Sequence, residues 1–402
     1  MGGFLGTVSA ADLVVNNANT TSSDINSWMK NSTTVKGDSL VFNVGKYDLN
    51  DTINVSKSIN IKSNVKTLIN FNKNKAMFNI TGTGCEINFS GLTLQHNGKG
   101  TIDYGPSIIL SKVSSTTVNI KDMNLILNGN YLCAVALLNG KGNISNCYIT
   151  GKGSYNEGVY HENWVGNIYK SSFVMEKSSS FCVGAIGTFT GNISYSKFVL
   201  KGSQSFGLIM YKKWMGNFVN SNITSSGNDF HGIFAEKWTG KISGSKIYNS
   251  GYRTIGVYSN SSTKGIIYKS TISAKQGYAV MVSKNVKVSS STLVSAKNIP
   301  KVYVFGPRVD IYDITSYTKS KNYYFRIKNF GESTSKTSYL IITANGYKKV
   351  VKVKPIKKGK YLKIKVILPK KYSTSKYTKY AKVYYVDGYG KKVYSISSKF
   401  KW

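Results

Sequence analysis

The chain has 402 residues and a formal net charge of +37 at pH 7, because 54 lysine and arginine residues outnumber 17 aspartate and glutamate residues. Such a field favours a polyanionic partner, but only three of the basic residues are arginine, which argues against specific reading of nucleic-acid bases. No apolar run approaches the roughly 18 residues of a membrane-spanning helix, so no transmembrane segment is predicted.

The amino-terminal residues indicate export. Residues 1–11 (MGGFLGTVSAA) lack a basic start but finish in small residues, as the end of a secretion signal does, and we predict a secreted or cell-surface location. A disordered amino terminus is the alternative. Residues 12–37 are predicted to form a cap with a short helix, because the helix-capping residues 22–24 precede the apolar Ile25 and Trp28.

A repeat of 24 or 25 residues fills the middle of the chain. Each unit opens with a glycine, and apolar, small and apolar residues follow two, five and seven positions later. The first unit shows this as Gly142, Ile144, Cys147 and Ile149. The opening glycines are Gly142, Gly166, Gly191, Gly216, Gly240 and Gly265. A period in this range is typical of a solenoid, in which units bury their apolar faces against their neighbours and like residues stack in columns.

The composition of the repeat predicts the type of solenoid. The units are rich in Ile, Val, Phe, Tyr, Ser, Thr, Asn and Gly and lack a helical apolar pattern, which favours short strands and turns. Leucine is too sparse for a leucine-rich repeat. We therefore predict an all-β fold with a parallel β-helix over residues 38–300. A stacked column is expected from the asparagines that follow four of the opening glycines, Asn143, Asn167, Asn192 and Asn217.

These repeats, together with the stretch YDLNDTINVSKSINIKS from Tyr47 to Ser63, resemble the right-handed β-helix adhesin-like surface proteins of methanogenic archaea. The resemblance covers about residues 20–300. It implies the right-handed parallel β-helix shared with pectate lyases, a fold that carries both enzymes and binding proteins. An adhesin-like surface protein is therefore one expectation. A polysaccharide lyase or glycoside hydrolase of the pectate-lyase-like fold is the alternative.

Residues 301–402 differ in composition from the repeats. They hold 25 of the basic residues, four acidic residues and 15 tyrosines, in alternating apolar and polar runs bounded by turns. Asn345-Gly346 between two such runs is a strong hairpin signal. About six strands in this length predict an antiparallel, immunoglobulin-like β-sandwich, and the region loosely resembles the adhesion-related modules of surface proteins.

Four aromatic residues form a column two positions before the opening glycines. A surface row of rings about 14 Å long would suit the apolar faces of sugars, so the column is a candidate glycan-binding stripe. An internal aromatic stack is the alternative, and strand alternation does not decide between the two because the glycine can turn the chain. The four residues are Trp164, Phe189, Trp214 and Trp238.

The sequence does not show a catalytic site. Glycoside hydrolysis needs two carboxylates about 5–9.5 Å apart, whereas Glu162 and Glu236 are three turns, or roughly 14 Å, apart. No acidic or histidine cluster predicts a metal site, and no cofactor is expected. His161 and His231 are interpreted as surface residues. If the chain is an enzyme, the residues to examine are Glu157, His161, Glu162, His231 and Glu236.

Charge and cysteine content suggest the partner and the redox state. The six candidates for docking to a polyanion are Lys348, Lys349, Lys352, Lys354, Lys357 and Lys358. Free thiols are expected, since Cys133 and Cys182 lie about 9.6 Å apart along the solenoid, beyond disulfide reach. The predicted partner is an acidic cell-wall polymer or a glycan of a host or neighbouring cell, bound without catalysis.

Overall fold

The structure is a computed structural model, and it describes residues 12–17, 19–31, 37–101, 106–259, 264–283, 285–317, 322–388 and 390–401. Residues 1–11, where the sequence suggests the end of a secretion signal, lie outside the described residues. The described part is almost entirely β-structure. Its only helices are α1 (Ser22–Asn31) and one 3-10 turn (Lys370–Tyr372).

Most strands wind into a parallel solenoid of about 11 turns, so the fold class predicted from the repeats is confirmed. The solenoid strands are β1 (Asp12–Val15), β2 (Ser39–Phe42), β3 (Lys46–Leu49), β4 (Ile53–Val55), β5 (Ile59–Phe71), β6 (Phe78–Ile80), β7 (Glu86–His96), β8 (Ser107–Ser111), β9 (Thr116–Lys121), β10 (Asn124–Leu127), β11 (Cys133–Lys141), β12 (Ile144–Ser145), β13 (Tyr148–Gly151), β14 (Glu157–Val165), β15 (Ile168–Tyr169), β16 (Ser172–Met175), β17 (Phe181–Ala185), β18 (Thr188–Thr190), β19 (Ile193–Ser194), β20 (Lys197–Leu200), β21 (Phe206–Met215), β22 (Phe218–Val219), β23 (Asn222–Ser225), β24 (His231–Ser243), β25 (Lys246–Asn249), β26 (Ile255–Ser259), β27 (Gly265–Tyr268), β28 (Thr271–Ala274), β29 (Tyr278–Val282), β30 (Lys287–Ser289), β31 (Thr292–Val294) and β32 (Val302–Val304).

The solenoid has three faces, and successive turns pair in register on each of them. On the first face, Ile144, Ile168 and Ile193 are direct neighbours and are fully buried. The corresponding buried columns include Ile149, Phe173 and Phe198 on the second face and Val159, Val183 and Leu208 on the third. These columns form one continuous core, whose burial is the main stabilising term of the solenoid.

A buried serine column makes the turn between the first and second faces. The φ angles of Lys170 (46°) and Tyr195 (52°) are positive, and the serine after each turns inward. The N–H of Ser171 donates to Oγ of Ser196 at 3.2 Å, and the N–H of Ser196 donates to Oγ of Ser221 at 3.0 Å. These bonds satisfy backbone groups that a tight turn would otherwise leave unpaired in the core.

The asparagine column predicted from the repeats is confirmed on the outside of the solenoid. Nδ2 of Asn167 donates to Oδ1 of Asn143 at 3.1 Å, and the N–H of Asn192 donates to Oδ1 of Asn167 at 2.9 Å. Nδ2 of Asn217 continues the column to Oδ1 of Asn192 at 2.8 Å. Stacked amides thus hydrogen-bond one turn to the next on a solvated surface.

The cysteines Cys85, Cys133, Cys147 and Cys182 are free, as predicted. Cys147 takes the place of serine in the turn column and is only 3% exposed. Burial raises the pKa of its thiol to about 11, so it remains protonated at neutral pH and packs as a small apolar group.

Helix α1 covers the amino-terminal end of the solenoid, whereas β1, which lies within the predicted cap of residues 12–37, pairs in parallel with β2 as a solenoid strand. The start of α1 is a capping box, in which the N–H of Thr21 donates to the Asp24 carboxylate at 2.8 Å and the N–H of Asp24 donates to Oγ1 of Thr21 at 3.1 Å. Ile25 and Met29 are buried against the first turns. The helix thereby shields apolar core that would be exposed at an open end.

The carboxy-terminal region forms two antiparallel sheets with a common core. Its strands are β33 (Val309–Tyr317), β34 (Asn322–Asn329), β35 (Ser338–Ala344), β36 (Tyr347–Val353), β37 (Tyr361–Ile367), β38 (Lys379–Val386), β39 (Lys392–Tyr394) and β40 (Ser398–Phe400). One sheet contains β33, β34 and β37, and the other contains the remaining five. The predicted hairpin turns at Asn345 (φ 41°) and Gly346 (φ 83°), where Ala344 pairs with Tyr347.

The two sheets pack against the outer side of the third solenoid face at its last turns. The hydroxyls of Tyr278 and Tyr385 lie 2.9 Å apart, and the rings of Tyr258 and Phe305 pack edge to face at 5.3 Å. Tyr278 and Met281 of the solenoid are buried in the core of the carboxy-terminal region. Earlier turns of the same face are not covered by this contact.

Candidate functional site

The four aromatic residues proposed as a glycan-binding stripe lie inside the solenoid. Trp164, Phe189, Trp214 and Trp238 are at most 1% exposed, and their rings stack at centroid distances of 5.1, 6.3 and 6.0 Å. Nε1 of Trp214 and Nε1 of Trp238 donate to turn carbonyls one turn back, each at 3.1 Å. The prediction of a surface stripe is therefore wrong, and these residues, named here the inner aromatic column, belong to the core.

His161 also lies in the core, which corrects its interpretation as a surface residue. It is fully buried, and its ring is 5.4 Å from that of Trp164 and 5.0 Å from that of Phe189. Neither ring nitrogen has a hydrogen-bond partner among the described residues. Burial lowers the pKa of His161 to about 3, so the side chain is neutral at pH 7 and is not accessible to a substrate.

The remaining catalytic candidates do not converge on one point. Glu157 and His231 share an outer column of the third face but are separated by Phe181 and Phe206 on the intervening turns. Burial, and secondarily the charge of Arg308, lowers the pKa of His231 to about 3. Glu162 and Glu236 are half-buried on turns equally far apart, roughly 14 Å at about 4.8 Å per turn. This spacing exceeds that of a hydrolytic carboxylate pair.

A second set of aromatic and apolar side chains lies on the outside of the third face, and sequence reasoning missed it. Phe206 and Tyr211 are partly exposed, and Phe206 stacks on His231 at 5.0 Å. Phe234 continues the row and stacks on Tyr258 at 4.8 Å, where the carboxy-terminal sheets begin to cover the face. We call this set the outer aromatic face, and within it Tyr160 and Ile209 are buried by their neighbours, at 4% and 5% exposure. Its residues are Tyr160, Phe181, Phe206, Ile209, Tyr211 and Phe234.

A cavity of about 250 Å³ opens on the outer aromatic face. It exists because Gly184 interrupts an outward column, between Tyr160 on the preceding turn and Ile209 on the following one. Phe181 lies across the glycine: an added β-carbon at Gly184 would be 2.5 Å from its Cε2. Tyr211, 49% exposed, lines the rim. The result is an apolar recess with a flat aromatic lining, suited to the apolar face of a ring-shaped ligand.

Lysines follow the recess along the chain, although none of them lines it. Strand β21 continues beyond Tyr211 into Lys212 and Lys213, both exposed, and Lys213 pairs with the exposed Lys237 on the next turn. Glu157 lines the cavity but is only 5% exposed. The exposed charge beside the aromatic lining is therefore mainly positive, with the half-buried Glu162 and Glu236 nearby.

The six candidate lysines of the carboxy-terminal region do not share one face. Lys348 and Lys352 are exposed on edge strand β36, whereas Nζ of Lys349 donates to the Ile367 carbonyl at 2.8 Å and bridges the two sheets. Lys358 is ion-paired with Glu332. The other two, Lys354 and Lys357, are exposed in the connection after β36. Lys348 and Lys352 on edge strand β36 also discourage pairing of this strand with other chains.

Metal and membrane sites are not found in the described part of the chain. No group of three or more His, Cys, Asp or Glu residues among the described residues could hold a metal ion. No described helix has the length and hydropathy needed to cross a bilayer.

Comparison with known proteins finds similarity in structure but not in sequence. No protein-family model matches the sequence. No curated protein matches it either. The chain is similar to tailspike protein gp49 of Acinetobacter baumannii bacteriophage Fri1, a capsular polysaccharide depolymerase, at 9% identity, 98% and 86% coverage of the two chains and a TM-score of 0.31. It is also similar to a double mutant of the tailspike protein of E. coli bacteriophage HK620, at 10% identity, 87% and 89% coverage and a TM-score of 0.24. Neither similarity supports assigning an activity to this chain.

The outer aromatic face did have a signal in the sequence. In strand β21, Leu208 and Met210 point into the core while Ile209 and Tyr211 alternate with them on the outside. The same strand phase places Phe234 outward one turn later. Period-two alternation would have placed Ile209, Tyr211 and Phe234 on the outside, but not Phe181 and Phe206, which share the parity of the buried Val183 and Leu208.

Proposed function

We propose that this chain is a secreted or cell-surface, adhesin-like protein that binds an acidic polysaccharide or cell-envelope polymer without cleaving it. The observation that carries the proposal is the recess at Gly184 on the outer aromatic face, with the exposed Lys212 and Lys213 directly after Tyr211 on the same strand. Aromatic rings stack on the apolar faces of sugars, and nearby cations favour an anionic chain over a neutral one.

The length of the site supports a polymer rather than a small molecule. Outer-face residues from Tyr160 to Phe234 span three turn spacings, roughly 14 Å at about 4.8 Å per turn. The net charge of +37 would attract an acidic polymer over a longer range. We also propose that the chain is related to the adhesin-like surface proteins of methanogenic archaea. The carboxy-terminal region is, in the same proposal, an immunoglobulin-like module.

Binding without catalysis is favoured over hydrolysis or elimination by the placement of the titratable groups. His161 is in the core, and the half-buried Glu162 and Glu236 are too far apart to flank one glycosidic bond. Glu157 alone borders the recess, and one carboxylate does not supply both an acid and a base. A lyase or hydrolase is the rival function, and a search for cleavage products after incubation with the polymer tests it.

The test measures binding of a polyuronate and of a neutral dextran by affinity electrophoresis. Tyr211→Ala should weaken polyuronate binding about 5- to 30-fold, since an exposed ring that packs on sugar contributes about 1–2 kcal/mol. Tyr148→Ala, which removes a tyrosine of similar exposure (48%) on the second face, is the matched control and should bind as the wild type does.

Gly184→Ala tests the recess itself. The added methyl pushes the Phe181 ring into the cavity, which should reduce binding at least 5-fold. The loss of stability should stay within about 1–3 kcal/mol, because only a side-chain ring and no backbone must move. Gly45→Ala, where nothing lies within 4 Å of the new carbon, is the control. Equal binding of all variants would refute the site. New reducing ends or 4,5-unsaturated uronates after incubation would show that the chain cleaves the polymer, and would refute binding without catalysis.

A further inference from the structure

We infer that a second cavity, between the last solenoid turns and the carboxy-terminal sheets, binds a single oxyanion through Lys275, Lys297 and Lys382. The anion is the carboxylate or phosphate of an acidic saccharide. The cavity measures about 210 Å³ and is separate from the recess at Gly184. This inference rests on the proposed function, because the acidic polymer of that proposal would supply the anion.

The three lysines come from both regions of the molecule. Lys275 lies in the turn after β28 and Lys297 in the segment after β31, and both are exposed. Lys382 is on β38 of the carboxy-terminal sheet and is half-buried. All three line the same cavity. Lysines that separate elements bring to one cavity repel one another, as Lys297 and Lys382 do here, and an anion between them would relieve the repulsion.

Among the described residues, the cavity lining supplies no counter-charge. None of the residues that line the cavity is acidic. The buried carboxylate of Asp310 interacts with Ser395 in the cavity wall and with the charges of Arg253 and Arg308. No ion pair of Lys275, Lys297 or Lys382 occurs within the described residues.

Lys382 is positioned by its surroundings rather than by a carboxylate. Its Nζ lies 4.1 Å from the centroid of the Tyr394 ring, a cation–π contact that fixes the ammonium group at the cavity wall. Burial, followed by the like charges of Lys348 and Lys297, lowers the pKa of Lys382. Burial is the larger cause, and a bound anion would relieve the smaller one, the repulsion from the neighbouring lysines.

The rest of the lining favours a sugar-borne anion. Tyr252 and Tyr394 provide aromatic surface, and Ser397 provides a hydroxyl, in the same cavity as the three ammonium groups. Lysine is suited to this role, since its three donors rotate to meet an oxyanion without a fixed fork geometry. An anion held here would connect the solenoid to the carboxy-terminal sheets and should stabilise their contact.

The experiment measures binding of galacturonate, inorganic phosphate and galactose to the full chain by calorimetry, with thermal unfolding as a second readout. Galacturonate should bind and raise the unfolding temperature, and galactose should do neither. Phosphate binding as tight as that of galacturonate would identify the charge alone as the recognised group. Weaker phosphate binding would assign a role to the sugar ring and its tyrosines.

Lys297→Gln and Lys382→Gln should each weaken galacturonate binding at least tenfold. Lys297 is exposed, so its variant should fold normally even if Lys382→Gln disturbs the sheet contact. Lys365→Gln removes an exposed lysine of β37 that does not line the cavity, and binding should change less than twofold. Equal losses in all three variants, or no saturation up to about 10 mM, would overturn the inference.

Two outcomes separate this inference from the proposed function. If polyuronate binding depends on Tyr211 while galacturonate binding is insensitive to Lys297, the lysine site is wrong and the adhesin proposal stands. If galacturonate binds through Lys297 but no polysaccharide binds the chain, the site stands and the proposed function is wrong.

Discussion

The inner aromatic column and the outer aromatic face are carried by the same strands and have the same spacing, yet their environments are opposite. Strand β21 contributes Tyr211 to the outer face and, three residues later, Trp214 to the inner column. Tyr211 is 49% exposed and Trp214 is not exposed at all. Periodic aromatic residues in a solenoid therefore do not by themselves indicate a binding site, because the side of the wall on which they lie decides their role.

The contacts of the two sets show how the difference is produced. Rings of the inner column stack on one another, and the indoles of Trp214 and Trp238 bond to the turn glycines Gly191 and Gly216. Glycine is required there because the backbone passes close to the turn below: an added β-carbon at Gly191 would be 1.6 Å from the carbonyl oxygen of Gly166. The outer face has instead a missing side chain, at Gly184, and an open recess.

The largest effect is expected from Trp214→Ala. The change removes a fully buried indole and its hydrogen bond, which should cost about 3–5 kcal/mol of unfolding free energy. Denaturant unfolding followed by circular dichroism would measure it. Polyuronate affinity of the fraction that remains folded should be unchanged, since the ring does not reach the surface.

Tyr195→Ala is the matched control, because this tyrosine is 57% exposed on the same solenoid and its removal should change stability by less than about 0.5 kcal/mol. A stable Trp214→Ala protein that has lost polysaccharide binding would contradict the contrast between the two sets, since it would show that the inner column takes part in binding.

The second expected effect is acid lability caused by His161 beside the inner column. Its folded pKa of about 3 is below the unfolded value of about 6.5, so the unfolded chain binds more protons between these pH values. Stability should therefore fall as pH falls from about 6.5 towards 3, by up to about 1.4 kcal/mol per unit, or roughly 2–3 kcal/mol by pH 4.5.

His161→Leu isolates this contribution, because the variant keeps every carboxylate while removing the buried imidazole. Its loss of unfolding free energy between pH 7 and pH 4.5 should be smaller than that of the wild type by roughly 2–3 kcal/mol. Denaturant unfolding at each pH would measure the difference. Parallel pH profiles for the two proteins would show that His161 is solvated and that the inner column is less closed than its burial indicates.

The sequence was sufficient for the solenoid but not for the direction of its aromatic residues. Column positions such as Ile144, Ile168 and Ile193 follow from period and strand alternation, and the structure places them as expected. The Trp column precedes a turn glycine, where the chain changes direction and alternation no longer identifies the buried side. Only the three-dimensional path of the turn places Trp164 and Trp214 inside.

His161 and Gly184 show the other limit of sequence reasoning. A histidine next to glutamates reads as a surface residue, yet strand phase places His161 beside Leu137 and Ala185 in the core. Gly184 has no chemical signature of its own, and it matters because its neighbours on adjacent turns, Tyr160 and Ile209, are large. A recess defined by an absent side chain becomes visible only when the turns are stacked.

The smallest expected effect comes from Asn192→Ala, which tests whether an outward column can be purely structural. Oδ1 of Asn192 accepts the N–H of Asn217 at 3.0 Å and its Nδ2 at 2.8 Å, but the site is exposed and water can replace both bonds. We expect a loss of about 0.5 kcal/mol, at the lower end for a hydrogen bond, and unchanged polyuronate binding. Tyr211→Ala should show the reverse, with stability retained and binding lost. If Asn192→Ala also weakened binding, the ligand would extend from the third face onto the first, and the outer aromatic face would be only part of the site.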